Sequence, residues 1–236
     1  MQDSKRDIEG RTLNDERVKR SPVSLIDFED VYLSYNGKVL FNDLSFKVGK
    51  GEKVILAGRS GIGKSTLFSL ILGFVTPERG MVFFDGEPVD EKNVWQIRRR
   101  VAFIDQDVSI GRGRVNEWFD FVLSLKANSS LRRDERGLRE SFEYFELEGD
   151  ILEKDINELS GGERQRIAVV TSIILGRKVF LLDEVTASLD GHMKEKLAWF
   201  FCSRSDWTVV VISHDSVWLE NPNVKVFDLE GKRWKQ

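Results

Sequence analysis

A chain of 236 residues can bury a full core and suits one large domain. Its composition, 41% hydrophobic and 32% charged with a net charge of −3, is that of a soluble globular protein and excludes the global basic field of a nucleic-acid binder. The single cysteine, Cys202, excludes an internal disulfide framework; it follows the apolar run Leu197-Ala198-Trp199-Phe200-Phe201 and reads as a packed core thiol in a reducing compartment.

Residues 1–23 interleave both signs of charge with little apolar periodicity and are expected to form a flexible tail; Ile8-Glu9-Gly10-Arg11 within them matches a protease site common in expression vectors. The pattern then turns to β, with strands expected at Ser24–Phe28, Val31–Tyr35 and, after the turn signal Asn36-Gly37, at Leu44–Val48. Lys53-Val54-Ile55-Leu56-Ala57 is a short apolar run typical of a buried strand. A glycine loop follows, then a helix from Lys64 to about Leu72, stopped near Gly73 with Pro77 beyond. Met81–Phe84 and Val101–Ile104 are further expected strands. From about 107 to 160 the chain is charged and helical in pattern, with apolar positions at Trp118, Phe119, Val122, Phe142, Phe145 and Leu147, which predicts an inserted helical subdomain. A helix starting at Ser160 precedes a buried strand at Lys178–Leu182, a helix at Met193–Phe201, a strand at Thr208–Ile212 and a closing strand at Val224–Leu229. No run of about 18 apolar residues and no leader pattern is visible, so any membrane role is expected to come through a partner.

Gly58-Arg59-Ser60-Gly61-Ile62-Gly63-Lys64-Ser65-Thr66 satisfies G-x-x-x-x-G-K-[ST] in full, after a buried strand and before a helix. Glycines let successive N–H groups face phosphates, and the helix start adds its positive end. Lys64 is expected at the β and γ phosphates, the Ser65 hydroxyl on Mg²⁺ and Thr66 beside the α phosphate. Asp183-Glu184 ends a buried strand, where α/β sheets bind ligands. Asp183 is positioned to hold Mg²⁺ through its water shell and Glu184 to polarise an attacking water. A second phosphate signal is Leu159-Ser160-Gly161-Gly162-Glu163: Ser160 is a good N-cap, Glu163 completes a capping box, and the glycines leave the first-turn N–H groups bare.

A P-loop, then Leu-Ser-Gly-Gly-Glu, then an apolar strand ending in Asp-Glu resembles the ATP-binding cassette (ABC) ATPases over about residues 24–236. The resemblance implies an α/β fold: a P-loop NTPase body with a mixed sheet, an N-terminal antiparallel β subdomain and an inserted helical subdomain. It implies ATP and Mg²⁺ as cofactors. Gln106 matches the glutamine that contacts Mg²⁺ and the attacking water, Ser188-Leu189-Asp190 the loop that crosses the dimer interface, His214 the histidine at the γ phosphate and Tyr35 the aromatic that stacks on adenine. In the family two cassettes pair head to tail, so Ser160, Gly161, Gly162 and Glu163 are expected to cap ATP held by the partner's P-loop. Val185 stands where the family often has proline, and Thr171-Ser172 replaces a common Arg-Ala; neither type carries the chemistry.

The interval between Gln106 and Ser160 is too short for the long coiled coil of the chromosome class, and only one cassette is present. The leading expectation is therefore an ATPase subunit that energises a membrane transporter. It would act as a homodimer, or paired with a second ABC ATPase, on the cytoplasmic face of the membrane, with no nucleic acid. An integral-membrane subunit would insert a helix near Gln106 to Phe119; core packing is the expected role of Trp118 and Phe119 themselves. The stretch from Ile156 to Asp190 is similar to small ATPase subunits of metal-ion exporters. The alternative is a soluble ABC ATPase driving macromolecular assembly or repair; a P-loop kinase or GTPase is disfavoured by the Ser160 helix.

Overall fold

The computed structural model describes residues 24–235; the expected tail, with its protease-site match, lies outside them. The first two expected strands are one, β1 (Ile26–Tyr35), bent where Asp30 takes a φ of 49° and the register shifts between Phe28 and Val31. The Ser45 hydroxyl pins this bulge, accepting from Asp30 N at 2.8 Å and donating to Asp30 Oδ1 at 2.9 Å. Asn36 and Gly37, at φ 49° and 75°, form the tight turn into β2 (Lys38–Val48), which begins well before the expected Leu44.

β3 (Lys53–Ala57) and α1 (Lys64–Ile71) follow as the pattern predicts. Next come β4 (Arg79–Phe84), the short β5 (Glu87–Pro88), α2 (Val94–Arg100) and β6 (Val101–Ile104); the pattern gives no sign of β5 or α2. The charged middle segment carries α3 (Val115–Ser124) and α4 (Glu135–Tyr144), and α4 packs on α5 (Gly161–Ile174). The rest is β7 (Val179–Asp183), α6 (Gly191–Cys202), β8 (Thr208–Ile212), β9 (Val224–Asp228) and an unexpected β10 (Arg233–Lys235).

An antiparallel sheet of order β2-β1-β4-β5 lies beside a mixed sheet of order β10-β9-β3-β8-β7-β6. β9, β3, β8, β7 and β6 run parallel, and β10 is antiparallel to β9. Alternate residues of the parallel strands enter opposite cores. Ile55, Phe180, Leu182, Val209 and Val211 join Phe119, Phe142, Phe145 and the α5 and α6 side chains. Val54, Leu56, Leu181, Val210 and Ile212 join α1 and the antiparallel sheet. This leaves the C-terminal ends of β3, β7 and β8 together at one rim, where the sequence places Gly58, Glu184 and Ser213.

Buried polar groups are tethered at the opposite rim. Lys53 Nζ donates to the carbonyls of Gly51, Arg204 and Trp207 at 2.8, 2.6 and 2.7 Å. Cys202 is buried as expected, and burial pushes its thiol up to about 11, so it is inert at neutral pH. Among the described residues no helix is long and apolar enough to cross a membrane.

Candidate active site

The P-loop turns sharply between β3 and α1. Gly63, at φ 104°, sits so close to β2 that an added Cβ would lie 2.9 Å from the Phe41 ring. Lys64 is buried, and its ammonium donates to the carbonyls of Gly58 and Arg59 at 2.7 and 3.1 Å. Arg59 N donates to Glu230 Oε1 at 2.9 Å, which anchors the loop's first corner to the turn after β9.

Ser60, Gly61, Gly63, Lys64, Ser65 and Thr66 line a cleft of about 280 Å³ together with Gln106, Asp183, Glu184 and His214. Gly58, Arg59 and Ile62 belong to the loop's frame instead, and Ile62 packs partly buried against the core. Asp183 is 2% exposed, and burial raises its carboxyl above the usual range. The Ser65 hydroxyl bond and the Lys64 charge oppose that rise, while nearby Asp105 adds to it. A carboxylate bonded to a hydroxyl, with Gln106 lining the same cleft, supplies the oxygen donors that Mg²⁺ takes, usually completed by water and substrate phosphates.

Glu184 sits at φ 47°, held by its N–H donating to Ile212 O at 2.8 Å. Its Oε1 is 3.6 Å from His214 Nε2, so the two side chains meet at the cleft wall. Tyr35 is 69% exposed near the β1–β2 turn: it is not a packing residue, and it is not part of the cleft wall.

Ser160, Gly161, Gly162, Glu163 and Asp190 do not line this cleft. The capping box is present: Ser160 Oγ accepts from Glu163 N at 3.2 Å, and Ser160 N donates to Glu163 Oε2 at 2.8 Å. The Ser160 hydroxyl is engaged within its own helix start, accepting from the Glu163 N–H and bonding the Glu163 carboxylate, which it helps to hold low. The Ser160 backbone bond is the main reason the Glu163 carboxyl is held low, and Lys154 Nζ at 3.4 Å adds to it. Gly162 has a packing reason as well: an added Cβ would lie 3.0 Å from the Ser188 carbonyl. Asp190 caps α6, accepting from Met193 N at 2.9 Å.

A second cleft, of about 460 Å³, runs between β6 and helices α3 and α5, lined by Phe103, Val108, Ile110, Trp118, Ala168 and Leu175 among others. Phe119 is a core residue as expected, and Trp118 packs partly buried against the same core while its other side lines this groove. Trp118 Nε1 donates to Thr171 Oγ1 at 3.0 Å, which in turn donates to Ile167 O at 2.8 Å; the departure at Thr171 thus ties α3 to α5. Sequence reasoning also missed Leu40 in the active-site wall, Glu230, Lys154, and a cluster of Thr186, Lys194 and Asp215. Only the placement of Thr186 two residues after Glu184, and of Asp215 directly after His214, could have marked that cluster.

A family profile described as ABC transporter matches residues 41–187. The probable iron export ATP-binding protein FetA of Escherichia coli (strain K12) is 30% identical over 195 residues, covering 81% of this chain and 85% of that protein. The energy-coupling factor transporter ATP-binding protein EcfA1 of Mycoplasma pneumoniae is 28% identical, covering 80% and 69%. An ATP-dependent lipid A-core flippase of Cupriavidus metallidurans is 30% identical over 87% of this chain, which spans only 36% of that protein. A dimeric bacterial ABC transporter cassette superposes with a TM-score of 0.74 at 25% identity, covering 86% of this chain and 94% of that one. With the phosphate loop, the strand-end carboxylates and the capped glycine helix all in place, this chain is an ATP-binding ATPase and belongs to the ABC transporter family.

Proposed function

We propose that this chain hydrolyses ATP to power a membrane transporter, working as a pair of copies, or with a second ABC ATPase, on the cytoplasmic face. The observation that carries the pairing is the separation of two phosphate-directed sites. The P-loop cleft contains none of Ser160, Gly161 and Gly162, although that glycine-rich helix start, with its positive end, suits a phosphate. In the pair, each copy's Ser160 helix closes on the ATP held by the other's P-loop.

Within the cleft, Lys64 exchanges the Gly58 and Arg59 carbonyls for the β and γ phosphates, and the loop's N–H groups hold the remaining oxygens. Thr66 lies beside the α phosphate, and the exposed Tyr35 ring stacks on the adenine. Ser65, Asp183 and Gln106 would hold Mg²⁺, which neutralises charge on the transferring phosphoryl group. Glu184 accepts the proton of the attacking water, and His214, 3.6 Å away, donates to the γ phosphate. Asp190 sets the start of α6 beside the dimer face.

The groove between β6, α3 and α5 is the seat for a helix of the membrane subunit. It begins at the Gln106 segment, so its occupancy reaches the water-positioning glutamine directly. The likeness to FetA supports metal-ion export as the cargo class. A soluble assembly ATPase is the competing reading. Affinity purification of the tagged chain from solubilised membranes decides between them. A stoichiometric multi-span partner that stimulates ATP turnover supports transport; recovery with cytosolic partners alone overturns it.

A further inference from the structure

Behind the Glu184–His214 pair lies a polar cluster whose residues are not among those lining the cleft. Thr186, two residues past Glu184, is fully buried, and its hydroxyl donates to Asp215 Oδ2 at 2.5 Å. The other oxygen of that carboxylate accepts from Lys194 Nζ of α6 at 2.7 Å. The Asp215 N–H donates to Ser213 Oγ at 3.1 Å, so the two residues flanking His214 are bonded to each other. Ser213 Oγ also lies 3.4 Å from Thr186 Oγ1. One carboxylate thus joins the segment that follows Glu184, the loop that carries His214, and the helix that begins at Asp190.

A partly buried ion pair of this kind is weak evidence for stability, because desolvation offsets much of its attraction. Its geometric consequence is clearer. Glu184 occupies left-handed backbone, which persists only where the surroundings over-determine it. Its N–H is tethered to β8 through Ile212, and Thr186 supplies the next side-chain tether along the loop. We infer that Asp215 is a positioning residue: by gripping Thr186 and Lys194 it sets the reach between Glu184 and His214 and ties that reach to α6. This rests on the roles proposed for Glu184 and His214.

Steady-state ATPase kinetics of Thr186→Val, Thr186→Ser, Asp215→Asn and Lys194→Met test it, with Glu184→Gln alongside. Thr186→Val keeps shape and removes the donor, so kcat is expected to fall about tenfold to a hundredfold, with KM for ATP within about twofold. Thr186→Ser, which restores the hydroxyl, should recover most of the rate, and Asp215→Asn and Lys194→Met should also lower kcat more than they raise KM. A folded Thr186→Val enzyme with wild-type kcat overturns the inference, as does a loss that Thr186→Ser fails to repair. Should Thr186→Val not fold, Lys194→Met decides: unchanged kcat there overturns the link to α6. Wild-type turnover in Glu184→Gln would instead remove the proposed base, whatever the Thr186 variants do.

Discussion

Glu184 combines a backbone conformation that side chains rarely adopt with a short reach to His214, the arrangement expected of a group placed for chemistry rather than packing. Glu184→Gln is therefore expected to leave ATP binding intact while lowering turnover by about a hundredfold or more, read by a nucleotide-binding titration beside a phosphate-release assay. Asp183 makes a separate, pH-linked prediction. Burial raises its folded pKa above the unfolded value, so the folded chain binds that proton more tightly. Stability contributed by this group is present below the unfolded pKa and is lost as pH rises through the folded one. Asp183→Asn should thus melt higher than wild type at neutral pH without nucleotide, with the gap closing as the solution is acidified through the carboxylate range. Thermal melts across that range check it, and a gap that widens on acidification contradicts the assignment. Lys64, Ser65, Asp183 and Glu184 were legible in sequence because each sits in a local pattern with its own chemical reason. Thr186, Lys194 and Asp215 were not, since their bonds join positions far apart in the chain and no local spacing encodes them.

Helix α5 shows how far an element can be read in advance. Its Ser160–Glu163 capping box is present with both bonds made, and Glu163 also receives Lys154 from the preceding loop. Glu163→Ala removes both partners and is expected to destabilise the chain by about 0.5–2 kcal/mol, as chemical denaturation would measure. Other elements hid for physical reasons. The β1 bulge at Asp30 interrupts the two-residue alternation, so one bent strand looks like two short ones. α2 spans seven residues with three consecutive arginines and no side-chain cap bond, which leaves little periodicity to detect. β10 has three residues, of which only Trp234 is apolar and packs against Phe227, so no alternating hydrophobic pattern marks it.

Among the described residues the P-loop cleft and the Ser160 helix start lie apart, and the proposed pair of copies is what brings them together. Ser160→Arg should leave ATP binding by the single chain unchanged and prevent ATP-driven pairing, because a long cation replaces the small hydroxyl at the closing face. Light scattering of Glu184→Gln with and without Ser160→Arg, in the presence of ATP, measures this; persistent dimers in the double variant refute the head-to-tail arrangement. The sheet order carries one more consequence, for how the chain is made. β3, which leads into the P-loop, pairs on one side with β8 and on the other with β9, strands encoded far downstream of it. During synthesis the phosphate loop therefore leaves the ribosome long before either of its flanking strands exists. A nascent chain has no framed nucleotide site until the segment through Asp228 has emerged, so ATP cannot act as an early template for folding.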